Sequence, residues 1–269
     1  MGWNYLLVFF IVSLVLCAVG FKKYVYFMSI GYGLSVAGIG VSLIVMSLMG
    51  IFDASVPHYI MFVLFIIYGF RLSGFLLIRE IKNAAYRKTL AEASGDESKM
   101  PIFVKVAIWL CVAVLYVAQT SGTYFRMLNG GSVTPVFYVG IVICVLAIIL
   151  ESAADKQKSA QKAERPDMVA MKGLYKIVRC PNYLGEILFW TGVFVGSVDI
   201  LKGVGQWLTA VLGYICIVYV MFNGAQRLER RQVKRYGDNE EYREYVNRTP
   251  ILIPLVPLYH LAKEAKETK

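Results

Sequence analysis

Apolar stretches long enough to cross a bilayer recur along almost all of this 269-residue chain, and no other feature restricts its fold as strongly. A helix of about 20 residues spans the roughly 30 Å of hydrocarbon in a membrane. Seven runs qualify, near residues 3 to 20, 24 to 50, 57 to 79, 102 to 121, 134 to 151, 183 to 200 and 205 to 224, the sixth being the shortest. Composition agrees: with 58% hydrophobic and 17% charged residues, the chain has too little polar surface to cover a soluble globule of its size. The expected fold is an all-α integral membrane protein with seven transmembrane helices.

Topology follows from where Lys and Arg collect. They concentrate in alternate connections, at Lys22 and Lys23, from Arg79 to Lys99, from Lys156 to Arg179 and after Arg227. The positive-inside bias then places the N-terminus outside and the C-terminus in the cytoplasm, as an odd helix count requires. The first run has no basic segment before it and no obvious cleavage pattern, so it is expected to be retained rather than removed as a signal peptide. A net charge of +10 needs no nucleic acid, because positive loops beside anionic lipid account for it. The localisation expected is multi-pass, in a bacterial inner membrane or the endoplasmic reticulum, with membrane lipids as neighbours.

Several chemistries are disfavoured. Cys17, Cys111, Cys144, Cys180 and Cys216 have no paired or metal-like spacing, and His58 and His260 are the only histidines, so no metal site is expected. Neither GxGxxG nor GxxxxGK[ST] occurs, so a nucleotide would not be held by a Rossmann or P-loop device.

What remains is a set of polar residues in register. In the run GLYKIVRCPNYLGEILFW, Pro181 opens a helix whose free amides favour an anion, Arg179 stands just before it, and Asn182 and Glu186 share a face four residues apart. Tyr68, Arg71 and Arg79 occupy one sector of the third span. Glu151, Asp155, Lys158 and Lys162 form a stripe leaving the fifth, which alone would read as a solvated, salt-bridged face. Arg227, Arg230 or Arg231, and Lys234 stack past the last span, where lipid phosphate is the simplest partner. All four features are expected on the cytoplasmic side, which is what an anionic cofactor entering from the cytosol requires. The connection between 80 and 100 reads as a mobile loop, and LAKEAKETK as a frayed end.

At RCPNYLGEILFW, and also at IYGFRLSGFLLIRE, LESAADKQK and YGDNEEYREYVNRTPILIP, the chain resembles the C-terminal domain of the steroid 5-alpha-reductase family and its bacterial DUF1295-like homologues. The resemblance covers roughly residues 60 to 255. It implies a membrane enzyme that uses NADPH to reduce a carbon-carbon double bond conjugated to a carbonyl, in a steroid, sterol or related lipid. It implies three segments: a two-helix N-terminal part (1 to 56), a reductase-like core (57 to 255) and a charged tail (256 to 269). The protein is expected to act as a monomer. By resemblance the catalytic hydrogen-bond donor to the substrate carbonyl is Tyr68, and Arg71, on the same helix face, is expected to assist it. Cofactor contacts fall to Arg79, Lys82, Glu151, Asp155, Lys162, Arg179, Asn182, Glu186, Arg227, Arg231 and Tyr236.

The sequence departs from the family pattern in one place. Steroid reductases carry a Gln-Glu pair in the second span, where the Glu partners the catalytic tyrosine, whereas SIGYGLSVAGIGVSLIVMSLMG contains no acid. Either another group, such as Arg71, assists Tyr68 or the substrate is not a 3-keto steroid. Two other functions fit the same residues: a membrane methyltransferase of the isoprenylcysteine type using S-adenosylmethionine, and a non-catalytic lipid-binding protein whose polar stripes pack the bundle.

Overall fold

The computed structural model describes residues 3 to 262 apart from 85, 89 and 91 to 99. Most of the expected loop between 80 and 100, and the charged end from 263, lie outside the described residues. Regular structure among the described residues is entirely helical. The main helices are α1 (Asn4–Cys17), α2 (Ile30–Leu48), α3 (Val56–Lys82), α4 (Ile102–Leu128), α5 (Pro135–Glu164), α6 (Pro181–Val195), α7 (Gly203–Tyr236) and α8 (Glu240–Arg248). Two 3-10 turns, Ala18–Phe21 and Tyr24–Met28, join α1 to α2.

Six segments are long and apolar enough to cross a membrane: Asn4–Phe21, Tyr24–Leu48, Val56–Lys82, Ile102–Leu128, Pro135–Glu164 and Gly203–Tyr236. The run expected as a sixth of seven spans is α6, which has 15 residues. At 1.5 Å per residue it reaches about 22 Å, less than the roughly 30 Å of hydrocarbon.

The chain divides into two compact units, Met1–Ile141 with Val193–Tyr214, and Val142–Gly192 with Ile215–Lys269. In the first unit α2 packs along α3, and α1 packs against both α2 and α4. Between lipid-embedded helices the apolar effect gives no drive to associate, so close packing of small residues and hydrogen bonds must supply it. The α2–α3 seam meets that condition. A Cβ at Gly33 would stand 2.5 Å from the Gly69 carbonyl oxygen, and one at Gly40 would stand 2.7 Å from that of Phe62. Ser73 Oγ adds a 2.8 Å bond to the Ile30 carbonyl. α3 begins at a capping box in which Ser55 caps the helix and its own N–H donates to His58 Nδ1 at 3.1 Å. Elsewhere in this unit Arg126 is wholly buried, pairing with Asp199 and donating from Nε to the Gly196 carbonyl at 2.9 Å.

In the second unit α5 and α6 run antiparallel in tight register. Cys144 Sγ meets the Phe189 carbonyl at 3.4 Å, and a Cβ at Gly185 would stand 2.8 Å from Glu151 Cβ. The segment before α6 is laid along the far end of α5 by two glutamines. Gln157 Oε1 accepts from the Leu174 amide at 2.9 Å, and Gln161 Oε1 accepts from those of Met171 and Lys172 at 2.8 Å each. α8 is capped by Asn239, whose side chain accepts from the Tyr242 amide at 3.1 Å, and it buries Tyr242, Tyr245 and Val246 against Met168. The chain then returns to the start of α6: the amides of Arg179 and Cys180 each donate at 2.9 Å, to the carbonyls of Pro250 and Ile251.

Candidate functional site

Tyr68, Arg71, Arg79 and Lys82 all lie on α3 in the first unit. Tyr68 is completely enclosed, and its hydroxyl donates to the hydroxyl of Tyr32 on α2 at 2.9 Å. Tyr32 stacks on Tyr116 of α4 with ring centroids 4.9 Å apart, and Tyr116 donates to the Phe27 carbonyl at 2.6 Å. Three phenols from three helices thus meet in the apolar interior. They can meet because glycines 33 and 69 bring α2 and α3 into contact one residue away from each member of the Tyr32–Tyr68 pair.

Arg71, half-buried, lies over the Phe75 ring at 6.0 Å, and Arg79 over that of Tyr86 at 4.3 Å. Lys82 is exposed in the last turn. Beside them Glu80 is buried and takes bonds from Lys23 and, at 2.8 Å, from the Tyr26 hydroxyl. That contact raises the Lys23 ammonium above its ordinary value.

The remaining candidates belong to the second unit. Glu151 and Asp155 are buried on α5, and Glu186 is buried on α6, where it accepts from Trp190 Nε1 at 3.3 Å. The stripe that alone would read as a solvated face is therefore turned inward at its acidic end. Because Gly185 sits against Glu151, one further turn along α5 brings Asp155 level with the start of α6, where Asn182 stands. Asn182 Oδ1 is buried without a hydrogen-bond partner among the described residues. This end of the α5–α6 pair thus combines carboxylates with an open amide acceptor.

Lys162 and Tyr236, far apart in sequence, come together. Lys162 Nζ donates to the Tyr236 hydroxyl at 3.2 Å and to the carbonyls of Pro166 and Met168 at 2.9 and 2.6 Å. Arg227 and Arg231 are exposed on α7.

Arg179 is placed otherwise than its position before a helix start suggests. Its guanidinium is buried, donating from Nη2 to Glu229 Oε1 at 2.9 Å and to the Tyr259 carbonyl. The anion it faces is a protein carboxylate. Nε and Nη1 have no partner among the described residues, and a cleft of about one water molecule's size lies against Arg179, Glu229, Tyr242 and His260. Glu229 also accepts from the amides of Leu261 and Ala262 at 2.8 Å each. Tyr242 and Tyr245, nearby, have phenols pushed up by burial.

Cys180 stands at the α6 start, where the helix dipole favours a thiolate. Burial opposes the dipole and wins, pushing the thiol up to about 11. At pH 8 roughly one thiol in a thousand would be ionised. A maleimide is therefore expected to leave Cys180 unmodified in the folded protein and to label it on denaturation. Mass spectrometry of labelled peptides checks this, and rapid native-state labelling at Cys180 would contradict it.

Sequence reasoning overlooked Tyr32, Glu80 and Glu229. Tyr32 is the one phenol of α2, after Tyr24 and Tyr26 at the start of the second span. Glu80 adjoins the chosen Arg79, and Glu229 is surrounded by arginines that drew attention to charge rather than pairing.

A family model described as "Protein of unknown function (DUF1295)" matches residues 28–249. No curated protein and no solved structure matches the chain.

Proposed function

The chain belongs to the DUF1295 family; from the resemblance of its motifs to the steroid 5-alpha-reductases we propose that it is a membrane-bound NADPH-dependent reductase of a carbon-carbon double bond conjugated to a carbonyl in a steroid, sterol or related lipid. The observation that carries the proposal is the Tyr32–Tyr68 hydrogen bond, a phenol donor enclosed in apolar surroundings. The orientation proposed with it has the N-terminus outside, the C-terminus cytoplasmic, and α6 completing a seventh crossing.

The cofactor residues proposed in the second unit are Glu151, Asp155, Lys162, Asn182, Glu186, Arg227, Arg231 and Tyr236, while Arg179, held by Glu229, is left to the fold. For Arg79 and Lys82, on α3 of the first unit, a cofactor contact is proposed from the family resemblance alone. The residues suit a dinucleotide in two respects: the Asn182 acceptor is open, and Arg227 and Arg231 are exposed cations able to meet phosphate. NADPH, when bound, supplies the hydride that adds to the carbon beta to the carbonyl.

As the double bond is reduced, negative charge grows on the carbonyl oxygen, and a hydrogen bond from Tyr68 strengthens with it in a site closed to water. Arg71, on the same helix face, lowers the cost of that charge. A proton supplied by bulk water then joins the alpha carbon, restoring the ketone. Asn182 orients and the cations hold phosphate.

Neutralising Arg227 or Lys162 should weaken NADPH binding about tenfold, the order of one charge-assisted hydrogen bond. Isothermal titration with the Arg227→Gln and Lys162→Met variants measures it. Unchanged affinity in both would count against the phosphate assignment, and binding of S-adenosylmethionine without NADPH would favour a methyltransferase instead.

A further inference from the structure

Gln119 lies in α4, four residues or about 6 Å from the midpoint of a helix able to span the membrane. It is 5% exposed, yet neither Nε2 nor Oε1 has a hydrogen-bond partner among the described residues. An amide with an orphaned donor and an orphaned acceptor in an apolar interior is costly, and a polar side chain at membrane depth has a partner to meet.

Its position says which partner. Tyr116 precedes Gln119 by three residues, so the two share a helix face, and the Cα–Cβ bond of Gln119 leans toward the N-terminal turn that carries Tyr116. Tyr116 is stacked on Tyr32, which holds Tyr68. The α4 backbone at this point packs against α7, where a Cβ at Gly213 would stand 2.7 Å from the Gln119 backbone nitrogen. On its own face of α4 the buried residues nearest the amide are Tyr116 and Thr123, and the charge of Arg126, two turns on, is already paired with Asp199.

The geometry points to Gln119 as a binding residue for an uncharged oxygen function, hydroxyl or carbonyl, on a rigid apolar ligand lodged beside the Tyr32–Tyr68 pair. The inference rests on the reading of Tyr68 as the residue that meets the substrate oxygen, and adds to it a second polar contact that selects neutral over charged lipids. A hydroxyl satisfies both halves of the amide, donating to Oε1 and accepting from Nε2, whereas a ketone satisfies Nε2 alone. A hydrocarbon satisfies neither. Affinity therefore ranks alcohol, then ketone, then hydrocarbon.

The test needs no turnover and no NADPH. Thermal unfolding of the full chain in detergent is followed with androstan-3-ol, androstan-3-one and androstane, which share one ring system and contain no double bond to reduce. The alcohol and the ketone are expected to raise the wild-type Tm by several degrees and androstane to leave it unchanged. Gln119→Met keeps the length of the side chain and removes both orphans. It should match or exceed the ligand-free Tm of the wild type and bind the alcohol at least tenfold more weakly. A Gln119→Met protein less stable than wild type would show that the amide is paired within the fold, and would overturn the inference. So would equal stabilisation of both proteins by the alcohol, or of neither. Oxygen-dependent binding without any NADPH-driven reduction of an enone would remove the reductase reading and leave this contact in place.

Discussion

Glu229→Ala should lose on the order of 3–5 kcal/mol of stability, the usual cost of leaving one member of a buried ion pair alone. Glu229 is wholly enclosed, and so is its partner Arg179 apart from a 2% remnant. Removing the carboxylate strands the guanidinium in an apolar setting and orphans the Leu261 and Ala262 amides that it caps. The two effects can be told apart. Arg179→Met combined with Glu229→Leu removes the stranded charge and should recover part of the loss, but the two amides stay orphaned and recovery stays incomplete. Thermal unfolding in detergent gives the magnitude, and proteolysis of the 240 to 262 region shows where the damage falls. A Glu229→Ala protein as stable as wild type would mean that the pair is solvated.

Tyr68→Phe should lower turnover of an enone substrate about 100-fold, since one donor to a developing oxyanion is worth roughly 3 kcal/mol and each factor of ten about 1.4 kcal/mol. The same variant leaves the Tyr32 hydroxyl without its 2.9 Å partner, which costs about 1 kcal/mol of stability. NADPH affinity should hold, because the cofactor residues are others. The decisive comparison is NADPH oxidation in the presence of an enone against the NADPH dissociation constant, both at a temperature where the variant is folded. Full activity in Tyr68→Phe would end its assignment as donor. Loss of cofactor binding along with activity would assign the hydroxyl to the fold.

The helices were legible because hydrophobic runs and helix starts are local properties. The α3 start could be read from Ser55 and Pro57, and the extension of α5 and α7 beyond their apolar parts followed from the charged stripes that continue them. α6 was legible as a helix, but 15 residues is fewer than the run that suggested a span, since the turn ending it begins at Gly196. Contacts were less legible. Arg179 reads as an anion-seeking residue only while Glu229, 50 positions later, is out of view. Glu229 disappears among Arg227, Arg230 and Arg231, although its helical phase sets it opposite them: they are exposed and it is buried. The missing acid of the second span was visible as an absence. That a phenol partners Tyr68 depends on a close approach of α2 and α3, which individual glycines permit and no spacing rule predicts.

The return of residues 250 and 251 to the entrance of α6 also bears on biosynthesis. The amides of Arg179 and Cys180 receive their acceptors only when a segment some 70 positions downstream has left the ribosome. Glu229 waits longer still, for 261 and 262. α5 and α6 are therefore synthesised before the groups that settle them exist, and during that interval a buried-to-be arginine and glutamate remain open to other partners. Completion of this unit therefore waits on residues 250 to 262.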